Sequence, residues 1–354
     1  MSLLKYFVCA LFALVELVFS QSVVSTKGYD KELFTVNLIE TKKYTVEGHT
    51  CTVDMIYLEG SCAGEQFNGE LIFKDSSNVV KYFNDGRIES TARYFINGTD
   101  INNNVARLHV EDIFVGFDDN EHPITRPNLI ADIEELAWIQ TADVIGIMEE
   151  TKEGKLVRYM WNENNKKSYP VAKYPDETKN YSKKILTIDV MIPGLGFDGI
   201  RGPEASVGKL GFTCGANTPE FQGEGVDYFV DTRYDYTGQP QIISARYIIE
   251  GKDDEGNPMK IYVENNGVDD FGDNLNVRTE PFIITDNPKW AWIETAPLHG
   301  THSDVALQIF FWTVEGADQN QPEEPESSED MDEPQNIDSQ NEPEEIEDSE
   351  ESEQ

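Results

Sequence analysis

Arg246, Tyr262 and Glu264 fall on one face of two consecutive strand-like runs. The runs flank the turn Asp254-Glu255-Gly256. Successive side chains of a strand point to opposite sides. Ser244, Arg246, Ile248 and Glu250 therefore share one face, while Ala245, Tyr247 and Ile249 share the other; in the next run Tyr262 and Glu264 oppose Ile261 and Val263. A carboxylate and a phenol beside a guanidinium could carry a proton and hold an anion, which is the equipment of isomerase- or cyclase-type acid–base work. With Arg278 and Trp292 the same set could clamp an acidic or aromatic ligand in a pocket. The alternative is an exposed face on which Arg246 and Glu264 form a cross-strand pair contributing roughly 0–1 kcal/mol. Both readings stand at the level of sequence. The pattern recurs as Arg93, His109, Glu111 and Trp138, so any site is to be sought twice.

Other chemistries find less support. His299 and His302 invite a metal, but no third placed ligand accompanies them. The chain has no nucleophile elbow and no glycine-rich phosphate loop between a strand and a helix. No metal site or cofactor is expected, and the sequence leaves the catalytic residues, if the chain is an enzyme, unassigned. The leading expectation is a binding module for a small organic ligand or an extracellular matrix or wall component; an enzyme using the second copy's interior and a purely structural extracellular protein are the alternatives.

The elements that must position these residues come in two copies. YDKELFTVNL at Tyr29–Leu38 returns as YSKKILTIDV at Tyr181–Val190, a shift of 152. TARYFI at Thr91–Ile96 returns as SARYII at Ser244–Ile249, and AWIQTA at Ala137–Ala142 as AWIETA at Ala291–Ala296, shifts of 153 and 154. Residues 29–163 and 181–316 thus form two domains joined by a polar, proline-containing linker at 164–180. Each copy reads as eight or so short strands separated by Asn- and Gly-containing turns, which predicts an all-β fold of two tandem antiparallel barrels. The one helical candidate is Leu129–Ala142, and its counterpart Trp290–Thr295 reads as strand.

Residues 1–20 carry Lys5 and a 13-residue, mostly apolar run at Phe7–Phe19, the pattern of a secretory signal peptide and too short to span a membrane. The mature protein is expected to be secreted. Asn97 and Asn180 head glycosylation sequons. In an oxidising compartment Cys51–Cys62 is the expected disulfide, with Cys214 a buried thiol. The formal net charge is −38, and residues 317–354 carry 17 acidic residues and no Lys or Arg, which leaves −21 on residues 21–316. Repulsion makes nucleic acid and anionic membranes poor partners, and neither is expected. The tail lacks the apolar residues to form a core, is expected to be disordered, and could hold divalent cations only weakly.

The second copy strings together Gly208–Gly225, Ser244–Gly267 and Val277–Thr301, containing Ala-Arg-Tyr, Ile-Tyr-Val-Glu-Asn-Asn-Gly, Arg-Thr-Glu-Pro-Phe and Trp in order. This resembles the family known as domain of unknown function 3237, small one-domain proteins of bacteria and fungi. The resemblance covers nearly all of residues 181–316 and implies a lipocalin-like (calycin-type) barrel with no established common activity. The first copy is the more diverged: it keeps Ala92-Arg93-Tyr94, Pro127 and Trp138, has His109 where the second has Tyr262, and lacks a clear counterpart of Arg278.

Overall fold

The computed structural model describes residues 22–193, 197–270, 277–303 and 307–319. The expected signal peptide and nearly all of the acidic tail lie outside the described residues. The first copy comprises β1 (Lys31–Glu47), β2 (Cys51–Ala63), β3 (Phe67–Leu71), β4 (Ser77–Phe83), β5 (Ile88–Asp100), β6 (Val105–Phe117), β7 (Pro123–Ala131), β8 (Ala142–Glu150) and β9 (Lys155–Lys166). The second comprises β10 (Tyr181–Met191), β11 (Phe197–Arg201), β12 (Ala205–Thr218), β13 (Phe221–Gly225), β14 (Phe229–Tyr236), β15 (Gln241–Asp253), β16 (Pro258–Asp269), β17 (Val277–Thr285), β18 (Leu298–His302) and β19 (Gln308–Val314).

The fold is all-β, as the repeat predicts. The first sheet runs β1-β9-β8-β7-β6-β5-β3-β2 and closes through β2 on β1, with β4 laid beside β3 between β2 and β5. The second follows the same path, β10-β19-β18-β17-β16-β15-β13-β12, and closes through β12 on β10; β14 takes the place of β4, and β11 is an added hairpin arm on β12. Every paired strand of the two sheets is antiparallel. Closure pairs the sheet edges that an open sheet would leave to other chains.

The sequence and the structure differ at the tryptophan blocks. Glu134–Gln140 and Pro288–Glu294 are single short 3-10 helices, so the Trp290–Thr295 segment is not a strand and the longer helix over Leu129–Ala142 does not form. Asn287 caps the second helix by accepting from the Lys289 amide, and Pro288 opens it, which is the local reason it coils. Leu136 and Ile139 of the first helix, and Trp290, Trp292 and Ile293 of the second, pack into the cores of their barrels.

The cysteines also depart from expectation. Cys51 and Cys62 stand at opposite ends of one extended strand, β2. Eleven residues at about 3.3 Å each put them roughly 36 Å apart, whereas a disulfide needs Cα atoms within about 7 Å. Cys51, Cys62 and Cys214 are all buried free thiols. Asn97 and Asn180 are both exposed, Asn97 lying within β5 rather than at a turn.

Candidate functional site

The polar hairpin face of each copy meets its counterpart on the other barrel. Arg93 donates from Nε to Glu111 on the neighbouring strand at 2.8 Å, then reaches across to the Ser244 carbonyl at 3.2 Å, the Ser244 hydroxyl at 2.8 Å and the Thr232 hydroxyl at 3.1 Å. Arg246 does the reciprocal thing: Nε donates to Glu264 at 3.3 Å and Nη1 to the Thr91 carbonyl at 2.9 Å. Thr91 and Ser244 occupy the same place in the two copies, so the contact is self-complementary, as across a two-fold axis. Lys81 of β4 adds an ion pair to Glu264 at 2.5 Å. Tyr234 occupies the Lys81 position in β14, and its hydroxyl lies 3.0 Å from Nε2 of His109.

Neither sequence reading anticipated this. Arg246 and Glu264 face neither solvent nor lumen; each is about 5–6% exposed and is covered by the other barrel. Arg246 and Lys81 hold the Glu264 carboxyl well below its ordinary range against the opposing effect of burial. A carboxylate so committed is no general base, so Glu264 is withdrawn as a proton carrier. Tyr262 is fully buried behind it, donating to Glu264 at 3.3 Å, and burial drives its hydroxyl far above the usual tyrosine range. His109, packed at a tilt against Phe95 and Tyr234, is pushed down to about 3 by burial.

The remaining candidates are scattered. Arg278 fastens the linker: it pairs with Glu177 at 2.8 Å and with Asp270, and its guanidinium lies 4.9 Å from the Tyr174 ring. Trp292 is buried beside Trp290, with ring centroids 6.1 Å apart. Trp138 is 38% exposed and leans on Trp161. His299 and His302 lie three apart on β18 and so face opposite ways, His299 stacking on Tyr181.

The face that reads as plain core leads into a lumen with unpartnered polar groups. Ala245 and Tyr247 of β15 point inward with Asn265 of β16, and with Asp231 and Arg233 of β14 and His302 of β18 they line a cavity of ≈ 90 Å³ in the second barrel. Its apolar wall includes Val190, Leu210, Phe212 and Ile309. Arg233 donates from Nε to Asp231 at 2.9 Å, and its Nη1 stands 3.6 Å from Asp269. Asp269 is 0% exposed, and neither of its oxygens accepts a hydrogen bond among the described residues; the Tyr247 hydroxyl, Asn265 Oδ1 and His302 Nδ1 are likewise unpartnered. Burial raises the carboxyls of Asp231 and Asp269, and Arg233 works against it in both. Buried polar atoms are normally paired, so the three on residues lining the cavity, those of Tyr247, Asn265 and His302, mark a place where a guest can add hydrogen bonds.

Sequence reasoning missed Asp231, Arg233 and Asp269 for a definite reason. In β14 the aromatic alternates, Tyr234 and Tyr236, face the other barrel, hydrogen-bonding His109 and Asn128, while the charged alternates face the lumen. A solvated strand would point them the opposite way. The available signal was the pairing of Asp231 and Arg233 at spacing two in a run that also carries Phe229, Val230, Tyr234 and Tyr236.

No family model matches the sequence, and no curated protein matches it. Among solved structures, the chain is similar to a protein of unknown function from Clostridium acetobutylicum ATCC 824 at 17% identity and a TM-score of 0.32, covering 37% of this chain and 96% of that one. It is also similar to a conserved protein of unknown function from Rhodopseudomonas palustris at 15% identity and a TM-score of 0.31, covering 37% and 95%.

Proposed function

We propose that this is a secreted small-molecule binding protein in which the second barrel is the receptor and the first is its scaffold. The observation that carries the reading is the set of unpartnered buried groups in the second lumen, Tyr247, Asn265 and His302, lining a cavity of ≈ 90 Å³. Apolar walls with a few convergent polar groups are the usual make-up of a ligand site. Such a cavity takes a body of only a few heavy atoms. In the first barrel the corresponding Tyr94 and Asp112 are instead bonded through the Tyr159 hydroxyl.

Secretion, glycosylation at Asn97 and Asn180, and membership of the domain of unknown function 3237 family belong to the same reading. They are supported by the amino-terminal apolar run, the exposure of both asparagines and the motifs of the second copy. Among the described residues no helix is long and apolar enough to cross a membrane. A thermal-shift screen of small organic compounds, run on the wild type and on Ala245→Leu, tests the receptor. The leucine fills the lumen from the face of β15 opposite the one that Ser244 and Arg246 turn to the other barrel. A compound that stabilises the wild type at one hundred times its Kd adds about 2.7 kcal/mol, and Ala245→Leu should lose that shift. Equal shifts in both proteins would place binding elsewhere.

A further inference from the structure

The first barrel shows what fits between the unpartnered groups of the second. Asp112 stands directly opposite Ala92 in the strand register, and Asn265 directly opposite Ala245. Tyr94 and Tyr247 therefore lie on the diagonal from them, within reach of one shared group. In the first barrel that group is the Tyr159 hydroxyl, a single oxygen that donates to Asp112 at 2.7 Å and meets the Tyr94 hydroxyl. Phe311 seats its ring as Tyr159 does, each opposite a glycine of the next strand. A Cβ at Gly146 would stand 3.3 Å from the Tyr159 ring and 2.2 Å from Thr125 Oγ1; a Cβ at Gly300 would stand 3.2 Å from the Phe311 ring and 2.0 Å from Thr279 Oγ1. Asn265 Oδ1 lies 3.3 Å from that same point at Gly300. Ring and acceptor thus keep their places in the second barrel, and no side chain supplies the bridging hydroxyl. Tyr247 and Asn265 are 3% and 6% exposed and both line the cavity of ≈ 90 Å³; the Tyr247 hydroxyl and Asn265 Oδ1 have no partner among the described residues.

We infer that the second barrel binds compact neutral alcohols, the ligand hydroxyl bridging Tyr247 and Asn265 and the hydrocarbon lying against Val190, Leu210, Phe212 and Ile309. This rests on the receptor reading above and names its ligand class. Asn265 Oδ1 can only accept, so the guest must donate to it; the Tyr247 hydroxyl has a proton to give, so the guest must also accept. A hydroxyl does both with one atom. An ether only accepts, and a carboxylate has no proton for Asn265. The charged pair in the lining is already matched: Arg233 donates to Asp231 at 2.9 Å and stands 3.6 Å from Asp269. An ammonium or a carboxylate would bury its charge against Tyr247 and Asn265, which carry none to offset it.

The experiment is calorimetric titration of the full chain with isobutanol, isobutyl methyl ether, isobutylamine and isobutyrate, repeated on Tyr247→Phe and Phe311→Tyr. Isobutanol should bind one to one and at least about tenfold more tightly than each of the other three, the scale of two buried hydrogen bonds. Tyr247→Phe removes a hydroxyl that has no partner, so the protein should keep its stability while isobutanol loses at least about threefold in affinity. Phe311→Tyr places a hydroxyl where the guest's would sit and should cost isobutanol at least about tenfold. If the ether, the amine or the acid binds as tightly as isobutanol, the alcohol class is wrong and the receptor reading survives. If isobutanol binds Tyr247→Phe as tightly as it binds the wild type, its hydroxyl is not at Tyr247 and the proposal falls. If none of the four binds, the receptor reading itself falls for ligands of this size. Should Phe311→Tyr fail to fold, Tyr247→Phe and the wild-type ranking of the four compounds still decide.

Discussion

The two barrels share an outer face and differ inside. Outside, Arg93 with Glu111 and Arg246 with Glu264 repeat one device, each arginine tying its own glutamate and then a backbone carbonyl of the other barrel. Inside, equivalent positions behave differently. Tyr94, Asp112 and Tyr159 of the first barrel form a bonded cluster: the Tyr159 hydroxyl donates to Asp112 at 2.7 Å and contacts the Tyr94 hydroxyl. The strand registers place Tyr247, Asn265 and Phe311 at the same three points of the second barrel. Phe311 lacks the hydroxyl, so Tyr247 and Asn265 Oδ1 are left without partners. One hydroxyl thus separates two tyrosines bonded to each other and to a carboxylate from a tyrosine and an amide oxygen that lack partners. The outer face was kept for assembly, while the interiors diverged.

The largest expected effect comes from breaking what the copies share. Arg246→Ala leaves Glu264 and Lys81 buried at the interface with one partner fewer and frees the Thr91 carbonyl. It should cost about 3–5 kcal/mol of unfolding free energy in denaturant titration, the range for removing one member of a buried ion pair. A loss near 1 kcal/mol would mean that the network is exposed in solution.

Next comes the pH dependence, in which two groups of the first barrel oppose each other. His109 has its folded pKa lowered to about 3, so folding keeps it neutral; its contribution is present above the unfolded value of 6.5 and is lost as pH falls. Asp112 has its folded pKa raised to about 6 by burial, so its contribution is present below the unfolded value of 3.8 and is lost as pH rises through 6. Between pH 6 and 4 the slopes have opposite sign, each on the order of 1.4 kcal/mol per pH unit. Asp112→Asn should therefore make stability fall more steeply than in the wild type as pH drops from 6 to 4, and His109→Phe should do the reverse. Parallel stability curves for the two variants would refute the assignment.

The interiors can be exchanged. Tyr159→Phe gives the first barrel the second's open arrangement and strands Asp112 and Tyr94. About 1–3 kcal/mol should be lost, the usual cost of orphaning a buried polar group. The smallest effect is the reverse change. Phe311→Tyr supplies the second lumen with the missing hydroxyl, adding about 0.5–1 kcal/mol of stability and weakening ligand binding by occupying the partners a guest would use. A Phe311→Tyr protein that binds more tightly would overturn the contrast between the barrels.

Much of the fold was legible in the sequence, because duplication and strand alternation are written in residue order. The face shared by Arg246, Tyr262 and Glu264 and the Arg246–Glu264 pairing were legible too. What covers that face was not. Alternation says which side chains point together, and a polar face reads as solvent or lumen unless a second surface is known to dock on it. That surface was present in the same sequence as Arg93, Glu111 and Lys81, but only the folded geometry brings the two faces together. The lumen site was hidden by the same effect. Once β14 buries Tyr234 and Tyr236 against a neighbour, its inward side is free to carry Asp231 and Arg233.

The reciprocal reach of Arg93 to Ser244 and Arg246 to Thr91 has a further consequence. In an assembly of two identical chains related by a two-fold axis, every substitution appears in both copies, so an interior cannot be opened on one side alone. Joining the two halves in a single chain removes that constraint. One half can retain a tightly bonded interior and supply rigidity, and the other can accumulate polar groups that weaken it. The chain is in effect an asymmetric pair with a symmetric seam, and the stability given up in one member is held by the other across that seam.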